Sequence, residues 1–144
     1  MQRQFILLLI ISFLFASCQK TPTVVVTNTD RISASSWKFD HATSGGVDVT
    51  SSVPACLKDN VYVFNANGTG SVDESLSICS PSTAGAMTWN FQTNETILHI
   101  SAALFPGGAN DFTLVSLNTT NLVVSQVMTI PPNPPTTVEV TFKH

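Results

Sequence analysis

The side chains best able to do chemistry in this chain stand apart from one another. His41, His99 and His144 are isolated, and no Cys-x-x-Cys or His-x-His motif occurs. Because a zinc site needs about four ligands at suitable spacing, we predict no metal site. Asp73 and Glu74 are adjacent, so on a strand they point to opposite faces and cannot act as a glycosidase pair. No serine lies in a Gly-x-Ser-x-Gly context. The sequence therefore predicts neither an enzyme nor a cofactor.

The first 17 residues have the three-part pattern of a secretory signal peptide. Arg3 supplies the positive charge, residues 5–16 form the apolar run, and small residues follow at Ala16 and Ser17. The run is about 12 residues long, whereas a membrane-spanning helix needs roughly 20. No acidic residue precedes Asp30. We therefore predict that residues 1–17 direct export and are removed.

The end of this segment, Phe15-Ala16-Ser17-Cys18, resembles the lipobox of bacterial lipoproteins. The resemblance implies acylation of the Cys18 thiol and cleavage immediately before it. Residues 18–31 would then be a lipidated N-terminus and tether, since several acyl chains on one residue anchor stably. The alternative is an ordinary signal peptide that is cut nearby.

Sorting of such a lipoprotein depends on the residues after the cysteine. Gln19 is not an acidic retention signal, and no acidic cluster follows Cys18. We expect the outer membrane, with the periplasmic face favoured over the cell surface.

Two further cysteines, Cys56 and Cys79, remain once Cys18 is acylated. An even pair in an exported chain predicts a disulfide, because the periplasm is oxidising. The bond would close a loop of 24 residues. Free buried thiols and a metal site are the alternatives.

The charge content of the chain is low. Its formal net charge is −3 and only 10% of the 144 residues are charged, against about 25% in ordinary soluble domains. Nucleic-acid binding requires a basic patch, so we expect no nucleic-acid partner. The length allows one domain.

Short runs of alternating apolar residues, separated by Gly, Pro, Asn and Asp, predict an all-β domain over residues 32–144. Residues 65–70 have the composition of a tight hairpin turn. In the first run we expect Trp37, Phe39 and His41 to share one face. Eight strands are predicted, at residues 37–41, 61–64, 71–75, 87–92, 96–101, 112–117, 122–130 and 137–143.

Strands in this order predict an antiparallel up-and-down barrel of eight strands. Such a barrel is filled by its own side chains or holds one small ligand. A β-sandwich is the alternative fold.

The order of several motifs is also informative. They are Trp37, Cys56-x-x-Asp59-Asn60-x-Tyr62-x-Phe64, the turn Asn67-Gly68-Thr69-Gly70, Cys79, and Trp89-x-Phe91. Over residues 32–144 this order resembles the lipocalin-like domains of small bacterial lipoproteins. The resemblance implies an up-and-down barrel and a Cys56–Cys79 bridge, and it implies no known activity.

The aromatic residues within the strands suggest two functions. Trp37, Trp89 and Phe91 are candidates to line a cavity for a small apolar ligand. The alternative is that these residues are core, in a structural or protein-interaction module whose barrel is filled. In either case we expect the lipid on Cys18 to hold the protein at a membrane.

Overall fold

A computed structural model describes residues 25–102, 104–105, 108–129 and 134–144. The predicted signal peptide, Cys18 and the first part of the tether lie outside these residues. The elements are helices α1 (Asn28–Ile32) and α2 (Ala55–Lys58), a 3-10 turn (Thr50–Ser52), and strands β1 (Trp37–Ser44), β2 (Val47–Asp48), β3 (Val61–Phe64), β4 (Thr69–Asp73), β5 (Gly85–Gln92), β6 (Ile97–Ile100), β7 (Asp111–Leu117), β8 (Asn121–Met128) and β9 (Thr136–Lys143).

The strands form one antiparallel sheet whose order returns on itself. From β3 to β9 each strand pairs with the next in sequence, and β1 pairs with both β3 and β9. The all-β, up-and-down prediction is confirmed, and all eight predicted strands are present. Strand β2 is an addition that pairs only with the end of β1. This closed strand order is compatible with both a β-barrel and a β-sandwich.

Strand β1 departs from the simple alternation that its sequence suggests. Its pairing with β9 shifts register between Phe39 and His41. A bulge of this kind inserts one extra residue and exchanges the faces beyond it. His41 is therefore exposed and Ala42 is buried, so the prediction that His41 shares the face of Trp37 is wrong.

The interior of the ring is apolar and closely packed. Each of the eight main strands contributes buried side chains, and in β3, β5, β6, β8 and β9 these lie at alternate positions, which is the two-residue period of a strand. These side chains are Trp37, Ala42, Tyr62, Phe64, Val72, Met87, Trp89, Leu98, Ile100, Phe112, Leu122, Val124, Val138, Val140 and Phe142.

Helix α1 closes one end of the ring, which we call the helix end. The helix begins at a capping box, in which Thr27 and Asp30 exchange hydrogen bonds. Ile32 is fully buried, and its carbonyl accepts a hydrogen bond of 2.8 Å from the Trp37 indole. Asn28 also donates to Glu95 in the β5–β6 turn. The predicted boundary between residues 31 and 32 therefore falls inside this helix.

The opposite end, which we call the loop end, carries the other connections. Antiparallel order places the β1–β3, β4–β5, β6–β7 and β8–β9 connections there, while the three short turns lie at the helix end. In the described part of the chain, no helix is long and apolar enough to cross a membrane.

Candidate ligand-binding pocket

The three aromatic residues proposed from sequence lie in or against the core. Trp37 is fully buried and Trp89 is 5% exposed, while Phe91 is partly buried. The Trp89 indole donates to the carbonyls of Asn65 and Thr69, at 3.1 and 3.0 Å. Its ring also packs edge-on against Phe91. Both indole N–H groups are thus satisfied within the protein, as buried tryptophans require.

The space among the interior side chains is very small. A gap of about 10 Å³ remains, lined by Trp37, Tyr62, Phe142 and six aliphatic or aromatic neighbours. That volume is close to the least that a single water molecule needs, and the lining offers little to bind one. The middle of the ring is therefore filled by its own side chains.

A larger pocket opens at the loop end. Its volume is about 320 Å³, which falls within the range of ligand sites of roughly 300–1,000 Å³. The lining residues come from three separate parts of the sequence: Ala42, Val49, Ser52, Val53, Pro54, Phe105, Gly108, Val127, Met128, Thr129, Pro135, Val138 and Val140. Neither Trp37, Trp89 nor Phe91 is among them.

The floor of this pocket is made by adjacent strands. Ala42 of β1 lies opposite Val140 of β9 in the ladder, and both are buried. Val138 is also buried and faces the same interior. Because the side chain of Ala42 is smaller than those of Val138 and Val140, it leaves space at the loop end of the packed core.

One wall of the pocket is the connection after β1. The Val49 N–H donates to the Ala42 carbonyl at 2.9 Å, and the Ala42 N–H donates to the Thr50 hydroxyl at 3.0 Å. The Thr50 N–H in turn donates to Asp48 at 2.7 Å. Hydrogen bonds from Thr50, followed by the positive charges of His41 and Lys58, lower the pKa of Asp48. This wall is thus bonded directly to the pocket floor.

The opposite wall depends on Gln126, a buried polar residue of β8. Its amide donates to the carbonyls of Ala109 and Asp111, both at 2.9 Å, and its oxygen accepts from the Ala109 N–H at 3.1 Å. A Cβ atom at Gly108 would lie 2.7 Å from that oxygen. Glycine at this position therefore permits the close approach of Phe105 and Gly108 to β8.

The disulfide predicted from sequence is confirmed. The bond joins Cys56 of α2, just after the first pocket wall, to Cys79 of the β4–β5 connection. This connection is also held by Asp59, which accepts hydrogen bonds from the N–H groups of Leu76 and Ser77. The pocket wall and the β4–β5 connection are thereby tied together.

The buried carboxylate of Glu74 also holds the β4–β5 connection in place. The side chain is 4% exposed and accepts from the Thr83 N–H at 2.6 Å, from the Ser82 and Thr83 hydroxyls, and from the Cys79 N–H. These hydrogen bonds lower the pKa of Glu74, and the bond from the Thr83 N–H has the largest effect. The carboxylate takes the place of backbone partners that the irregular connection lacks.

This pocket was not predicted from the sequence. Its walls come from separate connections that no local motif joins. The available signals were the small Ala42 within a strand of larger residues and Gly108 before β7. Within the described ranges, no three His, Cys, Asp or Glu side chains are placed to hold a metal ion.

A scan of the sequence against protein-family models found no match, and a search of curated proteins also found none. Function must therefore be inferred from the residues of this chain and their arrangement.

Proposed function

We propose that this protein is a lipid-anchored protein of the bacterial envelope whose β domain binds a small apolar molecule at the loop end. The observation that carries the proposal is the pocket of about 320 Å³, which is lined mainly by aliphatic side chains and by no charged residue. Pockets of this size and lining are the usual sites of small-molecule binding. The domain acts in this proposal as a carrier or sensor and not as an enzyme.

The anchor in this proposal is the acylated Cys18, which lies outside the described residues. The lipobox resemblance and the position of α1 support it. Only nine residues separate Cys18 from Asn28, and fully extended they reach roughly 30 Å. The anchor would therefore join the domain at its helix end, leaving the pocket at the other end open to solvent. The outer membrane, with the domain on its periplasmic face, is the proposed location.

Removal of the thiol tests the anchor. With Cys18→Ala we expect the protein to leave the membrane fraction, whereas Cys56→Ala with Cys79→Ala should stay in it. Unchanged membrane retention of the Cys18 variant would disprove lipidation there.

A binding titration tests the ligand. The chain from residue 19 onward should bind the neutral fluorescent probe N-phenyl-1-naphthylamine, with saturation at one site. Ser52→Trp adds a large side chain at the exposed pocket rim, so we expect it to abolish saturable binding. Gln92→Trp makes a comparable change at the helix end and should leave binding intact.

Ala42→Leu provides a second blocking variant, in the pocket floor, with Ala86→Leu as its exposed control. If the wild-type chain does not bind the probe, or if the blocked and control variants bind it equally, the pocket is not the site.

One observation favours a second function, a protein-interaction module with no ligand. Leu76 is 96% exposed and Ile78 is 75% exposed, although Asp59, Glu74 and the disulfide fix the connection that carries them. Exposed apolar side chains on a fixed loop are typical of contact sites. If the protein has this function, the double variant Leu76→Ser, Ile78→Ser should lose a cross-link to an envelope protein. The control variant Val115→Ser, which also changes an exposed apolar residue, should keep that cross-link.

A further inference from the structure

We propose that the pocket selects an uncharged ligand with a hydroxyl or carbonyl head over a carboxylate or other anion of the same size. This inference rests on the proposed function and adds the chemical class of the ligand. It follows from the distribution of charge around the pocket.

The pocket lining offers no cation to an anionic ligand. Its polar side chains are the hydroxyl groups of Ser52 and Thr129. Residues 103, 106–107 and 130–133, which lie outside the described ranges, contain no charged side chain in the sequence. A carboxylate that enters an apolar site without a partner loses its hydration at high cost. An alcohol or ketone of similar shape loses much less.

The loop end also has an excess of negative charge. Its basic residues in the described part of the chain are Lys58 and His99; neither lines the pocket, and His99 contacts Asp111. The positive charges of His41 and Lys58 already act on Asp48. The acidic residues that the topology brings to this end are Asp48, Asp59, Asp73, Glu74 and Asp111.

The remaining described cations lie away from the pocket. Arg31 is in α1, and Lys38 and Lys143 are paired residues near the helix end. Lys143 contacts Asp40 at 3.0 Å. Acidic residues therefore outnumber basic residues at the loop end in the described part of the chain, which disfavours the approach of an anion.

The two hydroxyl groups suit a neutral head. Ser52 and Thr129 are exposed at the rim, and neither side chain hydrogen-bonds to another group within the described residues. A hydroxyl group donates and accepts, so the pair can bind an alcohol or a carbonyl oxygen. An apolar body would then lie against Ala42, Val138 and Val140.

Competition between decan-1-ol and decanoate tests the inference. Both are tested as competitors of N-phenyl-1-naphthylamine, and at about pH 8 the decanoate carboxyl is ionised. Because the buried anion has no partner, we expect decan-1-ol to compete at least about tenfold more strongly. Equal or stronger competition by decanoate would overturn the inference while leaving the proposed function intact. A failure of all three compounds to bind would overturn both.

A charge introduced at the rim gives an independent test. Ser52→Lys and Thr129→Lys each place a cation beside the ligand head, so each should reduce the preference for the alcohol by about fivefold or more. Gln92→Lys adds the same charge at the helix end and should leave the preference unchanged. If the three lysine variants behave alike, rim charge does not set the selectivity.

Discussion

The Trp37 indole N–H donates a 2.8 Å hydrogen bond to the carbonyl of Ile32, and both residues are fully buried. This bond joins α1 to the first strand of the ring. It satisfies a carbonyl at the end of a short helix, where intrahelical partners are absent. The bond holds α1 against the helix end of the ring, whereas the described pocket of about 320 Å³ opens at the loop end.

Trp37→Phe should destabilise the domain more than Trp89→Phe. The first change leaves the buried Ile32 carbonyl without its donor, a loss of about 1–3 kcal/mol. The carbonyls that face Trp89 keep other donors, since Asn65 accepts from Gly68 and Thr69 accepts from Asn65. Urea unfolding of the two variants measures the difference. A loss for Trp89→Phe that equals or exceeds the loss for Trp37→Phe would contradict this role.

Loss of the Cys56–Cys79 bond should lower the free energy of unfolding by about 3 kcal/mol, because the bond closes a long loop in the unfolded chain. The double variant Cys56→Ala, Cys79→Ala provides the test by urea unfolding. Wild-type protein treated with a reductant is the matched control and should unfold at a similar urea concentration. Unchanged stability in both samples would show that the bond adds no stability.

Acid should destabilise the domain through Glu74. Its pKa is lowered in the folded protein, so its contribution to stability is fully present above the unfolded value near 4.5 and is lost as the pH falls through the folded value. Glu74→Gln keeps the shape but does not titrate, so its stability should vary less with pH below about 4.5. Glu139→Gln, on the exposed side of β9, should retain the wild-type dependence. Parallel pH profiles for wild type and Glu74→Gln would rule out this contribution.

Gly70→Ala should destabilise the β3–β4 hairpin. A Cβ atom there would lie 2.3 Å from the Val63 carbonyl oxygen and 2.8 Å from the Met87 methyl group. The backbone contact cannot be relieved by a side-chain rotation, and overpacking of this kind costs about 1–3 kcal/mol. Ser71→Ala, at the exposed neighbouring position, should change the midpoint of thermal unfolding little. Similar midpoints for the two variants would contradict the close packing at Gly70.

Local sequence patterns predicted the strands well because alternation and turn composition are properties of neighbouring residues. The hairpin at residues 65–70 is an example: Gly68 adopts φ +83°, and Asn67 accepts hydrogen bonds from Thr69. The disulfide was predictable because the two remaining cysteines had few alternatives.

The features that were missed depend on contacts between distant residues. The bulge at Phe39 and His41 is set by pairing with β9, which lies about a hundred residues later in the chain. Helix α1 is too short to show a helical period, and its stability comes from Ile32 and the capping box. The pocket arises where two connections, held by Thr50 and Gln126, approach β1 and β9. No pattern within one segment encodes that approach.

Native mass spectrometry of the protein, gently extracted from the membrane, tests the central claim most directly. We expect a chain that begins at an acylated Cys18 and carries an additional neutral molecule, which is released at moderate collision energy. The Ser52→Trp variant should carry the acyl groups but not the additional molecule. A wild-type chain without any additional mass, or the same additional mass on Ser52→Trp, would contradict ligand binding at the loop end.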